Sequence, residues 1–190
     1  MSKTRIEAFT DAVIAIVMTI LVLELHAPEG DTFADFFKLD HKLLIYVVSF
    51  ISLSIYWNNH HHLFQLAHKI NGRVLWMNNL LIFSLSLMPF GTAWMGDHLF
   101  AFAPEFTYGV IVTAADISYY LLTRELVRAN GSHSPIAKVF SNYRKTYISI
   151  GLNILGLLLG FIQPLLVLIT YIVVLIFWVI PEKKIEAHYE

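Results

Sequence analysis

The side chains of this chain with chemistry to offer are few, and most stand inside apolar runs. Arg5, Glu7 and Asp11 head a run that is uncharged from Ala12 to Leu23. Trp57-Asn58-Asn59-His60-His61-His62 closes a second run, Asn78 and Asn79 lie near the start of a third, and Asp116 sits inside a fourth between Thr113 and Tyr120. Carboxylates and imidazoles can bind cations, pass protons, or simply hydrogen-bond to one another. In hydrocarbon each ionisable group costs roughly 2.5–3.5 kcal/mol, so each needs a partner or a wet cavity. Glu7 and Asp11 are like-charged i,i+4 neighbours and repel mildly. Arg5 lies about 120° from Asp11 around a helix, so the two do not pair along one face. Compensation for Asp11 must come from other helices.

The three consecutive histidines do not make a metal box. Successive helical residues point about 100° apart, so one ion cannot collect all three. Helical metal sites use i,i+3 or i,i+4 partners, and from His60–His62 those positions hold Leu63, Phe64, Gln65 and Leu66. Only His68 shares a face with His61, two turns away. The chain has no Cys, which removes disulfides, thiolate sites and thiol nucleophiles. No nucleophile, base and orienting group can be assembled, so the chain reads as a non-enzyme, with no cofactor and no resident metal.

The elements that position these groups must be membrane helices. Of 190 residues, 57% are hydrophobic and 14% charged, against about 45–50% and 25% in a soluble domain. Mean hydropathy is +0.63. Net charge is −1, without the clustered basic surface that a nucleic-acid partner needs. A bilayer-spanning helix takes about 17–25 mostly apolar residues. Six segments qualify or nearly so: 4–25, 43–67, 74–95, 107–127, 146–162 and 165–180. The runs are continuous, unlike alternating barrel strands, which predicts an all-α, polytopic protein forming one six-helix domain over residues 1–190. Glu7 and Asp11 interrupt the first run and no small-residue cleavage site follows Leu25, so it reads as a retained helix rather than a signal peptide. Gly156 and Gly160 make a small-x-x-x-small face suited to close packing.

Basic residues set the orientation. With the N-terminus in the cytoplasm, six spans return the C-terminus there. Lys3, Arg5, Lys69, Arg73, Arg124, Arg128, Lys138, Arg144, Lys145, Lys183 and Lys184 then lie inside, and only Lys38 and Lys42 outside. The first outer loop is acidic, with Glu29, Asp31, Asp35 and Asp40. This topology brings Asp11, the histidine run and the Asn pair to one depth, as a hydrogen-bonded cluster joining the first three spans. It serves either to hold the helices together or to sense protons or ions.

Arg5-x-x-x-Phe9-Thr10-Asp11 resembles the Arg-x-x-x-Phe-Ser-Asp signature of the lysosomal and bacterial transmembrane-protein-175 potassium channels. Trp57-x-x-His60-His61, Asn79-Leu80-Leu81 and Met88-Pro89-Phe90-x-Thr92 are similar to further motifs of that family. Thr10 replaces the usual Ser and keeps the hydroxyl. The resemblance implies a potassium-selective, leak-type channel in a bacterial inner membrane, built as a homotetramer because the chain carries a single six-helix repeat. It implies a pore lined by the first helix and narrowed by rings of apolar side chains at Ile16, Ile20 and Leu23, with Thr19 beside them. Arg5, Phe9, Thr10, Asp11, Trp57, His60, His61 and Asn79 are then the inter-helix polar network. On a helical wheel, Ile16, Thr19, Ile20 and Leu23 fall within about 100° of one another. The helix is apolar all round from Ala12 to Met18, so periodicity alone does not choose this face. The competing reading is a proton-coupled transporter or proton-permeable channel using Asp11, Asp116 and His60–His62, although no inverted repeat is visible.

Overall fold

The computed structural model describes residues 2–140 and 142–179. Among them every regular element is helical: α1 (Lys3–Leu23), α2 (Phe33–Phe37), α3 (Asp40–Gln65), α4 (Gly72–Ser86), α5 (Met88–Asp97), α6 (Phe102–Asn130), α7 (Pro135–Phe140), α8 (Arg144–Leu159) and α9 (Leu165–Val179). The chain is thus all-α. Two stretches, α1 and the run Gly72–Asp97, are long and apolar enough to cross a bilayer by length and composition. The six expected segments fall on α1, α3, α4 with α5, α6, α8 and α9. The last was expected to reach Ile180, which, like Lys183 and Lys184, lies outside the described residues.

The third segment differs from its expected form. The segment expected as one helix over 74–95 is two, α4 and α5, and Pro89 stands inside the run. Proline has no N–H and its ring crowds the carbonyl four residues back. The helix accordingly breaks at Leu87, and Pro89 occupies the first turn of α5, where its missing donor costs nothing.

The helices pack around one apolar core. It includes Ile6, Ile14, Val17 and Leu21 of α1, Ile45 and Leu53 of α3, Leu81 and Leu85 of α4, Tyr108 and Leu122 of α6, and Leu168 and Tyr171 of α9. α1 lies against α3, α4 and α5, α6 runs beside α4 and α8, and α8 pairs with α9. The short link between α8 and α9 makes a tight antiparallel hairpin whose closeness depends on glycine. A Cβ on Gly156 would overlap the Thr170 hydroxyl of α9, and one on Gly160 would press into Val167. The small-x-x-x-small face therefore closes this hairpin within the chain.

Replacing Gly156 with Leu should push α9 away and destabilise the protein by about 1–3 kcal/mol. Gly151 of the same helix has open space around its would-be Cβ, so Gly151→Leu should leave the apparent melting temperature in detergent nearly unchanged.

Candidate functional site

α1 is two-sided. Ile6, Thr10, Ile14, Val17 and Leu21 recur at i+3 and i+4 spacing and are all buried. The face turned away from them is bare: Ile16 is 57%, Ile20 40% and Leu23 74% exposed. Thr19 is exposed on the same side, and its Oγ1 donates to the Ile16 carbonyl at 2.7 Å. Arg5 and Phe9 continue the exposed side toward the start of the helix. The four residues expected to line a pore thus form one uncovered, mostly apolar stripe on a helix whose other side is fixed.

A polar seam fixes that other side. His60 of α3 is buried and its Nε2 donates to Asn78 Oδ1 of α4 at 2.9 Å. Asn78 Nδ2 in turn donates to Thr10 Oγ1 of α1 at 2.9 Å. The amide can do this because it carries an acceptor and donors on one planar group. Trp57 Nε1, one helical step from Tyr56, donates to Asp11 Oδ1 at 3.0 Å. Asp11 is therefore held at an exposed edge of the α1–α3 contact and not within the His60–Asn78–Thr10 chain. His61 also stays at the surface, stacked on Trp57 at 6.0 Å between ring centroids and bonded to Gln65. Asn79, the asparagine within the sequence motif, is exposed, and its neighbour Asn78 makes the buried contacts.

Asp116 anchors a second seam. Tyr56 Oη donates to Asp116 Oδ1 at 2.5 Å, and Asn153 Nδ2 of α8 donates to Oδ2 at 2.8 Å. Its same-helix neighbours are engaged elsewhere: Thr113 donates to the Gly109 carbonyl, and Tyr120 meets Tyr147 of α8. Farther along α3, Ser49 accepts from Thr92 of α5 at 2.7 Å and bonds Tyr108 of α6 at 2.8 Å. Tyr171 of α9 donates to Ser52. Sequence reasoning missed Ser49, Ser52, Tyr56 and Asn153. The available signal was the recurrence of Ser49, Ser52, Tyr56 and His60 at helical spacing on α3.

At the other end of α1, the acidic loop is partly engaged. Lys38 donates to Asp35 at 2.6 Å, and this bond, with that from Thr32, holds the Asp35 carboxyl below its ordinary value. His41 does the same for Asp40. Both carboxyls therefore stay ionised at pH values where an unassisted carboxyl starts to protonate. Lys42 pairs with Asp97 at 2.5 Å, tying the start of α3 to the end of α5.

An all-α bundle with apolar exterior faces, whose buried polar groups mostly bond one another, is the architecture of an integral membrane protein. Comparison with known proteins narrows this class. Residues 5–89 match the family described as endosomal/lysosomal potassium channel TMEM175. A potassium channel of Chryseobacterium sp. (strain P1-3) is 44% identical over 186 residues, covering 98% of this chain and 97% of the relative. The crystal structure of a lysosomal potassium-selective channel TMEM175 homolog from Chamaesiphon minutus superposes with a TM-score of 0.81 at 27% identity, over 93% of this chain and 96% of that one. The endosomal/lysosomal proton channel TMEM175 of Mus musculus is 28% identical over 94 residues, 47% of this chain and 19% of that protein. The chain belongs to the TMEM175 family.

The two asparagines give a sharp test of the seam. Asn78→Leu strands the Thr10 hydroxyl and the His60 ring, and should lower stability by about 1–3 kcal/mol. Asn79→Leu removes an exposed amide and should change it by less than about 0.5 kcal/mol. Thermal unfolding of the full chain in detergent, followed by size-exclusion chromatography, separates the two outcomes.

Proposed function

We propose that this chain is the subunit of a potassium-selective, leak-type cation channel. Four copies surround a central pore lined by α1, with rings of Ile16, Ile20 and Leu23 narrowing it and Thr19 beside them. The observation that carries this reading is the bare apolar stripe on α1, centred about 130° around the helix from the residues buried in the protomer. The name and 44% identity of the Chryseobacterium relative support the choice of ion. The subunit is multi-pass, its six spans placing both termini in the cytoplasm of a bacterial cell whose inner membrane holds it. The polar network of Arg5, Phe9, Thr10, Asp11, Trp57, His60, His61 and Asn79 is assigned to helix positioning, with Asn78 added to it.

Apolar rings select by dehydration. A constriction without carbonyl ligands makes an ion shed part of its hydration shell, and potassium holds that shell less tightly than sodium does. Dewetting of the same rings closes the pore. The Thr19 hydroxyl, now bonded to the Ile16 carbonyl, keeps two lone pairs free to replace lost water. Glu29, Asp31, Asp35 and Asp40 raise the cation concentration at the outer mouth, an effect that salt screens.

A second reading, proton permeation or proton-coupled transport through Asp11, Asp116 and His60–His62, is favoured by one observation: the murine relative is named a proton channel. Flux that follows a proton gradient and saturates with a transported solute would favour it.

Reconstitution into liposomes with opposed potassium and sodium gradients tests the proposal. Passive flux should drive the membrane voltage toward the potassium equilibrium value. Ile16→Asn should wet its ring and lower the potassium-over-sodium preference. Unchanged selectivity and conductance would remove Ile16 from the constriction, and absence of flux in the native chain would remove the channel reading.

A further inference from the structure

An open surface pocket of about 560 Å³ lies where the starts of α1 and α4 meet the end of α6. That volume is within the roughly 300–1,000 Å³ range of small-ligand sites. Its lining is one-signed: Lys3, His68 and Lys69 bring nitrogen bases, Ser2 and Asn71 bring polar groups, and no carboxylate among the described residues lines it. None of the ion pairs found among the described residues uses Lys3 or Lys69. Glu125, the nearest carboxylate along α6, is held by Arg128 at 2.8 Å. The remaining walls, Ile70 and Ala129, are apolar.

The lining is also pre-positioned. Asn130 Oδ1 accepts the backbone N–H of both His68 and Lys69 at 2.8 Å, while its Nδ2 donates to the Lys69 and Leu126 carbonyls. One side chain thereby fixes the link between α3 and α4 against the end of α6. Lys3 Nζ reaches the Gln65 carbonyl at 3.3 Å, which holds its ammonium toward the same link. Two helix starts open here as well. Asn71 caps α4, and the Ser2 side chain makes no cap on α1, so the first-turn amides of α1 add partial positive charge. Surface lysines placed only to set topology would need neither a pocket nor a fixed backbone.

We propose that this pocket binds a phosphate anion carried by the headgroup of an anionic phospholipid. The cations and the α1 amides take the phosphate oxygens, and Ile70 and Ala129 meet the start of the acyl chains. Phospholipid is favoured over free phosphate because the site joins a basic pocket to an apolar wall on a membrane protein, at the level where basic pockets meet headgroups. The inference rests on the membrane reading but not on conduction, and its test does not measure ion flux.

Native mass spectrometry of the full chain in detergent, titrated with phosphatidylglycerol, phosphatidylcholine and inorganic phosphate, reads the site directly. Phosphatidylglycerol should be retained and phosphatidylcholine lost. Removing both charges with Lys3→Gln and Lys69→Gln should weaken phosphatidylglycerol retention about 25-fold, or about fivefold per lysine. The double exchange Lys3→Arg and Lys69→Arg should preserve it, as should Lys38→Gln at the opposite end. Variants eluting as the native chain does in size-exclusion chromatography count as folded. Native-like retention in the Gln double variant, or equal loss in Lys38→Gln, would overturn the site. Binding of inorganic phosphate without phosphatidylglycerol would overturn the lipid as its source.

Discussion

A polar group inside an apolar bundle has to find a hydrogen-bond partner in its own helix or on a neighbour, and four on α3 bond side chains of neighbouring helices. Ser49, Ser52, Tyr56 and His60 run down one line of it, all buried. In order they engage Thr92 with Tyr108, Tyr171, Asp116, and Asn78 with Thr10. Through them α3 reaches α5, α6, α9, α4 and α1, and Asp116 passes the connection on to α8 through Asn153. Apolar contacts supply the cohesion, but they tolerate rotation and sliding. These bonds do not, because a buried donor left without its acceptor costs about 1–3 kcal/mol.

The rotation of α1 is the consequence that matters for function. Thr10 is bonded to Asn78 on the buried side, and Trp57 fastens Asp11 at the edge. With those two points set, the helix has no freedom to turn Ile16, Ile20 or Leu23 inward. A side chain that narrows a pore must be held by its own backbone, since nothing packs behind it in the aqueous lumen. The proposed channel therefore depends on a polar seam on the far side of the helix from the ions. The same division would let a single apolar helix act both as a core element and, as proposed, as a pore wall.

Much of the fold was legible because long apolar runs and sharp polar breaks mark helices whatever their partners. The helix interruption at Leu87 was less so: the expected segment 74–95 ran through it without a break, because the residues around Pro89 are apolar on both sides. The site was legible unevenly. Asp116 stood out as a costly residue, but its partners, Tyr56 and Asn153, come from distant sequence, while nearby Thr113 bonds its own helix backbone, as hydroxyls inside helices commonly do. Asn78 and Asn79 differ only by the 100° step between neighbours, and composition cannot say which one turns inward. The exposed stripe on α1 was invisible to periodicity, since residues on both faces are apolar. Family resemblance singled out Ile16, Ile20 and Leu23, which are exposed on the protomer.

One face of α1 is proposed to meet the permeating ions while its other face is buried in the protomer. The absence of native cysteine makes it directly measurable: Leu23→Cys and Leu21→Cys are made separately, reconstituted into liposomes, and treated with a charged, water-soluble thiol reagent during potassium flux. Position 23 is predicted to react and block the flux, while position 21, two residues away but buried, stays unreactive and conducting. Block at position 21 with none at position 23 would contradict the account.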